Sequence, residues 1–169
     1  VNATITDNYI NSITSSTSAV AAIAIGATAE TSTTLVQNNM IGGVLFSGTS
    51  TSSIGTGIYL ANKAGNTFNV RNNTIHMFGS LSSFESKNHG VTLSSNSNNG
   101  TTNLMNNIFS NTITNTSGKS TCIAIGFGGT APFSTLNFDY NVFYLNGTNT
   151  FIGGYSGLTS GGLLTQVTL

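Results

Sequence analysis

Few side chains in this sequence can move a proton or hold a metal. Asp7, Glu30, Glu85 and Asp139 are the acids, Lys63, Arg71, Lys87 and Lys119 the bases, and His76, His89 and Cys122 complete the set. Paired carboxylates cleave glycosidic bonds when they stand about 5 to 9.5 Å apart. A positioned acid or base transfers a proton in the transition state, and gathered carboxylates, His or Cys bind calcium or zinc. The spacing here predicts none of these. Arg71 with His76 and Lys87 with His89 make the densest titratable stretch, yet no two carboxylates converge on one face with them. Isolated basic residues are usually solvated surface. Two His without neighbouring Cys or a carboxylate cluster fall short of the ligand count of an ordinary zinc or calcium site. Cys122 stands where other parts of the chain carry Ala22, Gly57 and Gly90, which makes it a small filler rather than a nucleophile. The expectation is no catalytic residue, no metal site and no cofactor.

What would position any such residue is a repeat. Five segments share one pattern: TITDNYI, LVQNNMI, NVRNNTI, NLMNNIF and NFDYNVF. Their common Asn residues are Asn8, Asn39, Asn73, Asn107 and Asn141, at intervals of 31, 34, 34 and 34. A period near 34 also belongs to helical repeats, so composition must decide. Thr (27), Asn (23), Ser (22) and Gly (20) make up 92 of 169 residues, and these are mediocre to poor helix formers. Apolar residues recur at spacing two, as in Ile23 and Ile25, Ile58 and Leu60, Val91 and Leu93, and Ile123 and Ile125. The chain is therefore expected to be all-β.

Each unit reads as three short strands. In the third they are GIYL (57–60), TFNV (67–70) and TIHMF (74–78), with a tight corner at Asn72 and Asn73 and a long polar loop over 79–89. Alternation turns Ala3 and Ile5, Thr34 and Val36, Phe68 and Val70, Thr102 and Leu104, and Leu136 and Phe138 to one face. Beyond the corner the inward residue is Ile10, Ile41, Ile75, Phe109 or Phe143. Like residues at equivalent places predict a parallel β-helix of about five coils, approximately 1–32, 33–66, 67–100, 101–134 and 135–169, forming one domain or a segment of a longer repeat protein. The five corner Asn should form a hydrogen-bonded ladder, because Asn tolerates left-handed backbone and its amide both donates and accepts. On this stack Asp7 and Asp139 lie roughly 19 Å apart, too far for a glycosidase pair.

Charged residues are only 5% of the chain and its net charge is zero, so nothing steers it toward nucleic acid or an anionic membrane. The most apolar window, 19–27, is far too short to span a bilayer. No initiator Met or signal peptide opens the chain, which reads as a mature or excised segment. A single Cys and abundant Thr, Ser and Asn suggest an exported, extracellular or cell-surface protein. Outward residues offer two contact surfaces: a flat Thr-x-Asn array of Thr67 and Asn69, Thr101 and Asn103, and Thr135 and Asn137, and the aromatic rings of Tyr59 and Tyr144. Unpaired strand edges at the ends of the stack would invite further coils or self-association.

At the corner pattern, and above all at FDYNVFYLNG (138–147), the sequence resembles right-handed parallel β-helix surface proteins of the pectin-lyase-like superfamily. The resemblance extends to repeats of adhesin-like proteins exported by the type IX secretion route. It implies a right-handed coil and a stalk or fibre element that contacts glycans through its loops. Other members of the superfamily are polysaccharide lyases and hydrolases, so a segment of a carbohydrate-active enzyme is the alternative. An ice or flat-surface binder is a third reading, resting on the Thr-x-Asn array.

Overall fold

The computed structural model describes residues 2–26, 31–50, 53–81, 87–95, 100–115, 119–125, 135–155 and 163–164. Every regular element among them is a β-strand, and the strands stack as a parallel β-solenoid. The leading sheet consists of Ala3–Thr6, Ser32–Gln37, Asn66–Arg71, Thr101–Met105 and Thr135–Asp139, in that order. After the corner comes the trailing sheet: Tyr9–Asn11, Met40–Gly42, Thr74–Met77, Ile108–Asn111 and Val142–Leu145. The third, long-strand sheet stacks Val20–Ile25, Gly55–Asn62, Lys87–Ser95, Lys119–Ile125 and Thr150–Tyr155. Leu163–Leu164 adds to its edge as an antiparallel strand. Five levels are stacked, and about three of them are full turns with partners both above and below.

The registers pair equivalent positions of the repeat, as the sequence predicts. Phe68 lies opposite Thr34 and Thr102, Val70 opposite Val36 and Leu104, and Ile75 opposite Ile41 and Phe109. All of these are buried in the three inner levels. Together with Ile58, Leu60, Val91 and Leu93 they build one continuous core along the axis. In a solenoid no single coil can bury its own apolar face, so this stacking supplies the burial that stabilises each level. At the fifth level Phe143 stacks on Phe109 with ring centroids 5.3 Å apart, while Phe138 remains 44% exposed.

The strands differ from expectation in length and in the place of strain. The third-unit strand written as 57–60 runs Gly55–Asn62. Its successor begins inside the expected loop, as Lys87–Ser95, because His89 and Asn88 are interior residues rather than loop residues. Residues 82–86 of the expected loop lie outside the described residues.

At the corners the left-handed backbone belongs to Asp7, Asn38, Asn72, Asn106 and Tyr140, with φ between 54° and 59°. It does not belong to the ladder Asn that follows each of them. This corrects the sequence expectation, and the reason is steric and polar at once. The bend needs one residue at positive φ, and its side chain then points into solvent. The next residue turns inward, where only an amide can satisfy the buried backbone groups of the bend.

Candidate functional site

The ladder is built one level at a time. Asn39 Nδ2 donates to Asn73 Oδ1 at 3.0 Å, and Asn73 Nδ2 to Asn107 Oδ1 at 3.0 Å. Asn8 and Asn107 extend it at each end, to Asn39 and Asn141 respectively, both at 2.9 Å. Each accepting oxygen also takes the backbone N–H of the Asn whose amide it bonds, at 3.0 to 3.1 Å. The remaining amide capacity goes to main-chain carbonyls, as in Asn73 Nδ2 to Val36 O at 2.9 Å and Arg71 O at 3.0 Å. Asn39, Asn73 and Asn107 are fully buried. These five residues are structural cross-links, with no capacity left for a ligand at the inner levels.

A second buried amide escaped the sequence reading. Asn88 accepts from Phe46 N at 2.8 Å and donates from Nδ2 to Phe46 O at 3.0 Å, so a side chain takes the place of a strand neighbour. Nothing periodic marks Asn88. It falls outside the corner pattern and could be found only from coordinates.

Among the described residues the titratable groups are dispersed. Asp7 and Asp139 sit on corners at opposite ends of the leading sheet and are exposed. Glu30 and Glu85 lie outside the described residues. Among the described residues no three of His, Cys, Asp and Glu gather as metal ligands would. Arg71 Nε donates to Gln37 Oε1 at 3.1 Å on the outer face of the leading sheet. His76 Nε2 lies 3.2 Å from Thr112 Oγ1 on the trailing face, so Arg71 and His76 stand on different sheets.

His89 is fully buried, its Nδ1 2.8 Å from Thr121 Oγ1. Its pKa is pushed down to about 3, first by burial and second by the charge of Lys87. Cys122 is buried in the core, and burial pushes its thiol up to about 12. A thiol so placed stays protonated and inert at neutral pH.

The outward Thr-x-Asn array on the leading sheet forms a second, partly exposed ladder. Asn103 Nδ2 donates to Asn69 Oδ1 and Asn137 Nδ2 to Asn103 Oδ1, both at 2.7 Å. Thr67 lies opposite Thr101, and Thr135 follows in the same register. Leu35 occupies the Asn place one level below, so the column ends there. These amides bond one another, which ties up part of the hydrogen-bonding capacity they would offer a ligand.

The trailing sheet presents a different surface. Its outward columns are Tyr9, Met40, Thr74, Ile108 and Val142, and beside them Asn11, Gly42, His76, Ser110 and Tyr144. Tyr9 is 73% exposed and Met40, Val142 and Tyr144 more than half. Phe78, just past the third strand, lays its ring over the two glycines of the preceding level. A Cβ on Gly43 would come within 2.7 Å of Phe78 Cζ, so glycine is what lets the ring lie there. His76 stands beside that ring, centroids 5.0 Å apart. Tyr9, Asn11, Met40, Gly42, Thr74, His76 and Phe78 enclose a shallow depression of about 260 Å³. Tyr144 is outward as expected, whereas Tyr59 is half-buried on the outer side of the long-strand sheet. The exposed rings of Tyr9 and Phe78 were not anticipated, because alternation alone does not tell a ring packed on the sheet surface from one in the core.

Comparison with known protein families, curated proteins and solved structures finds no match to this chain.

Proposed function

We propose that this chain is a non-catalytic, exported β-solenoid element, a rigid stalk or fibre segment of a surface protein that contacts glycans. The supporting observation is the continuous Asn ladder along five stacked levels, which cross-links the same corner at every level and gives a stiff, repetitive stack. Within this reading it takes its place among right-handed parallel β-helix surface proteins like those of the pectin-lyase-like superfamily, exported by a type IX-like route. The low charge and the abundance of Thr, Asn and Ser fit an extracellular surface. Among the described residues the acids and bases are scattered, and His89 and Cys122 are sealed in the interior, away from any substrate that acid–base or nucleophilic catalysis would act on. Further coils, or another copy of the chain, would continue the stack at its ends.

Electron microscopy of the purified native protein tests the structural role. Rods or filaments with a strand-spacing repeat along the axis are expected. Flexible or globular particles that turn over polysaccharide substrates would reject it in favour of a carbohydrate-active enzyme.

A further inference from the structure

Among the described residues, the large exposed hydrophobic side chains gather on one face. Tyr9, Met40, Ile108, Val142 and Tyr144 lie on the outer face of the trailing sheet and Phe78 at its margin, leaving only Phe138 and Tyr140 of this set elsewhere. The face carries two kinds of column side by side. One is largely apolar, running through Tyr9, Met40, Ile108 and Val142, while its neighbour sets polar Asn11, His76 and Ser110 in line with Tyr144. None of these outward residues bears an acidic or a Lys or Arg side chain.

Size and charge select the partner. Five strands at ~4.8 Å spacing, each about three residues wide, make a strip ~19 Å by ~10 Å, or roughly 200 Å². A stable protein partner buries about 800 Å² of accessible surface on each side, several times this footprint, so the strip alone would not hold one. Nucleic acid needs cationic contacts to phosphate, and the face has no Lys or Arg. A sugar chain matches on every count. It is narrow and linear, its ring faces are apolar, and its hydroxyls seek amides, hydroxyls and imidazoles.

We infer that the outer face of the trailing sheet binds a neutral, linear oligosaccharide laid along the stack, one sugar ring seated in the depression over Gly42 between Tyr9 and Phe78. The inference rests on the glycan contact proposed above and moves it from the loops to the sheet face. Tyr9 and Phe78 supply flat apolar surfaces for the ring faces. Asn11, Thr74 and His76 line the same depression and bond the hydroxyls at the ring edge. Gly42 leaves the floor open, since a Cβ there would stand 2.9 Å from Asn11 Oδ1 and 3.5 Å from Phe78 Cε1.

Calorimetric titration with neutral β-1,4-linked hexamers of glucose, mannose and xylose, and with a hexagalacturonate, tests this. At least one neutral hexamer should bind, and Tyr9→Ala, Phe78→Ala and Gly42→Leu should each weaken it by about tenfold or more. Asn137→Ala, on the other sheet, should leave binding unchanged. Neither Tyr9 nor Phe78 belongs to the buried core, so the fold is retained in their variants and circular dichroism checks it. Preference for the hexagalacturonate overturns the inference, as does a dimer in sedimentation that the same variants abolish. Binding that survives Tyr9→Ala and Phe78→Ala overturns it too, while leaving glycan contact elsewhere on the chain standing. If no hexamer binds, the sheet-face site is rejected, and a blank glycan array would then reject the glycan contact as well.

Discussion

Asn107 Oδ1 accepts two hydrogen bonds from Asn73, one from its Nδ2 and one from its backbone N–H, both at 3.0 Å. One oxygen thus ties a side chain and a main chain of the level below. The amide at Asn73 in turn donates to Arg71 O of its own bend and to Val36 O of the level below. Replacing Asn73 with Ala strands several buried groups at once. Each buried group left unpaired costs ~1–3 kcal/mol, so Asn73→Ala should lose ~3 kcal/mol or more. Asn103→Ala, on the partly exposed outer ladder, should lose under ~1 kcal/mol, because water replaces its partners. Urea unfolding of the two variants side by side checks the contrast, and equal losses would reject the assignment of Asn73 as an interior cross-link.

Acid should weaken the fold through His89. In the folded chain its pKa is about 3, against 6.5 for an ordinary His, so the unfolded chain binds the extra proton between those values. The contribution is complete above pH 6.5 and is lost progressively as pH falls toward about 3. The slope from one such group is at most ~1.4 kcal/mol per pH unit. His89→Gln cannot charge, so its unfolding free energy should flatten across this window. An unchanged slope in that variant would assign the acid sensitivity elsewhere.

Cys122 should ignore thiol reagents in the native protein. Its thiol is buried and held up to about 12, so the reactive thiolate is scarce at neutral pH. Iodoacetamide labelling followed by mass spectrometry should show slow modification in buffer and rapid modification in denaturant. Rapid native labelling would place Cys122 at the surface.

Gly90 and Gly57 allow close approach between strands of the long-strand sheet. A Cβ on Gly90 would stand 2.6 Å from the carbonyl oxygen of Cys122, and one on Gly57 equally near that of Gly90. Both obstacles are backbone, which cannot rotate away. Gly90→Ala should cost ~1–3 kcal/mol through overpacking. Gly26→Ala, whose added carbon meets nothing within 4 Å, should be nearly neutral and serves as the control in thermal unfolding.

The repeat was legible because it is written in residue type. An Asn every 31 or 34 residues, flanked by alternating apolar residues, specifies strand, bend and stacking together, since equivalent positions stack on one another. Inward residues such as Phe68, Val70 and Ile75 followed from period two alone. Even so, the pattern placed the bend's strain on the ladder Asn itself, whereas the structure puts it on the residue before. Either neighbour could have supplied a left-handed residue, and only the direction of the side chains separates them.

What the chain alone determined, then, is the solenoid and its cross-linked corner, both of which depend on local period and composition. Tertiary structure decided the rest. Asn88 reaches a strand 42 residues away in sequence, His89 loses its charge to burial, and Phe78 lies on Gly43 of another level. Each depends on the stagger between coils, and that stagger is set by packing across levels rather than by any neighbour along the chain.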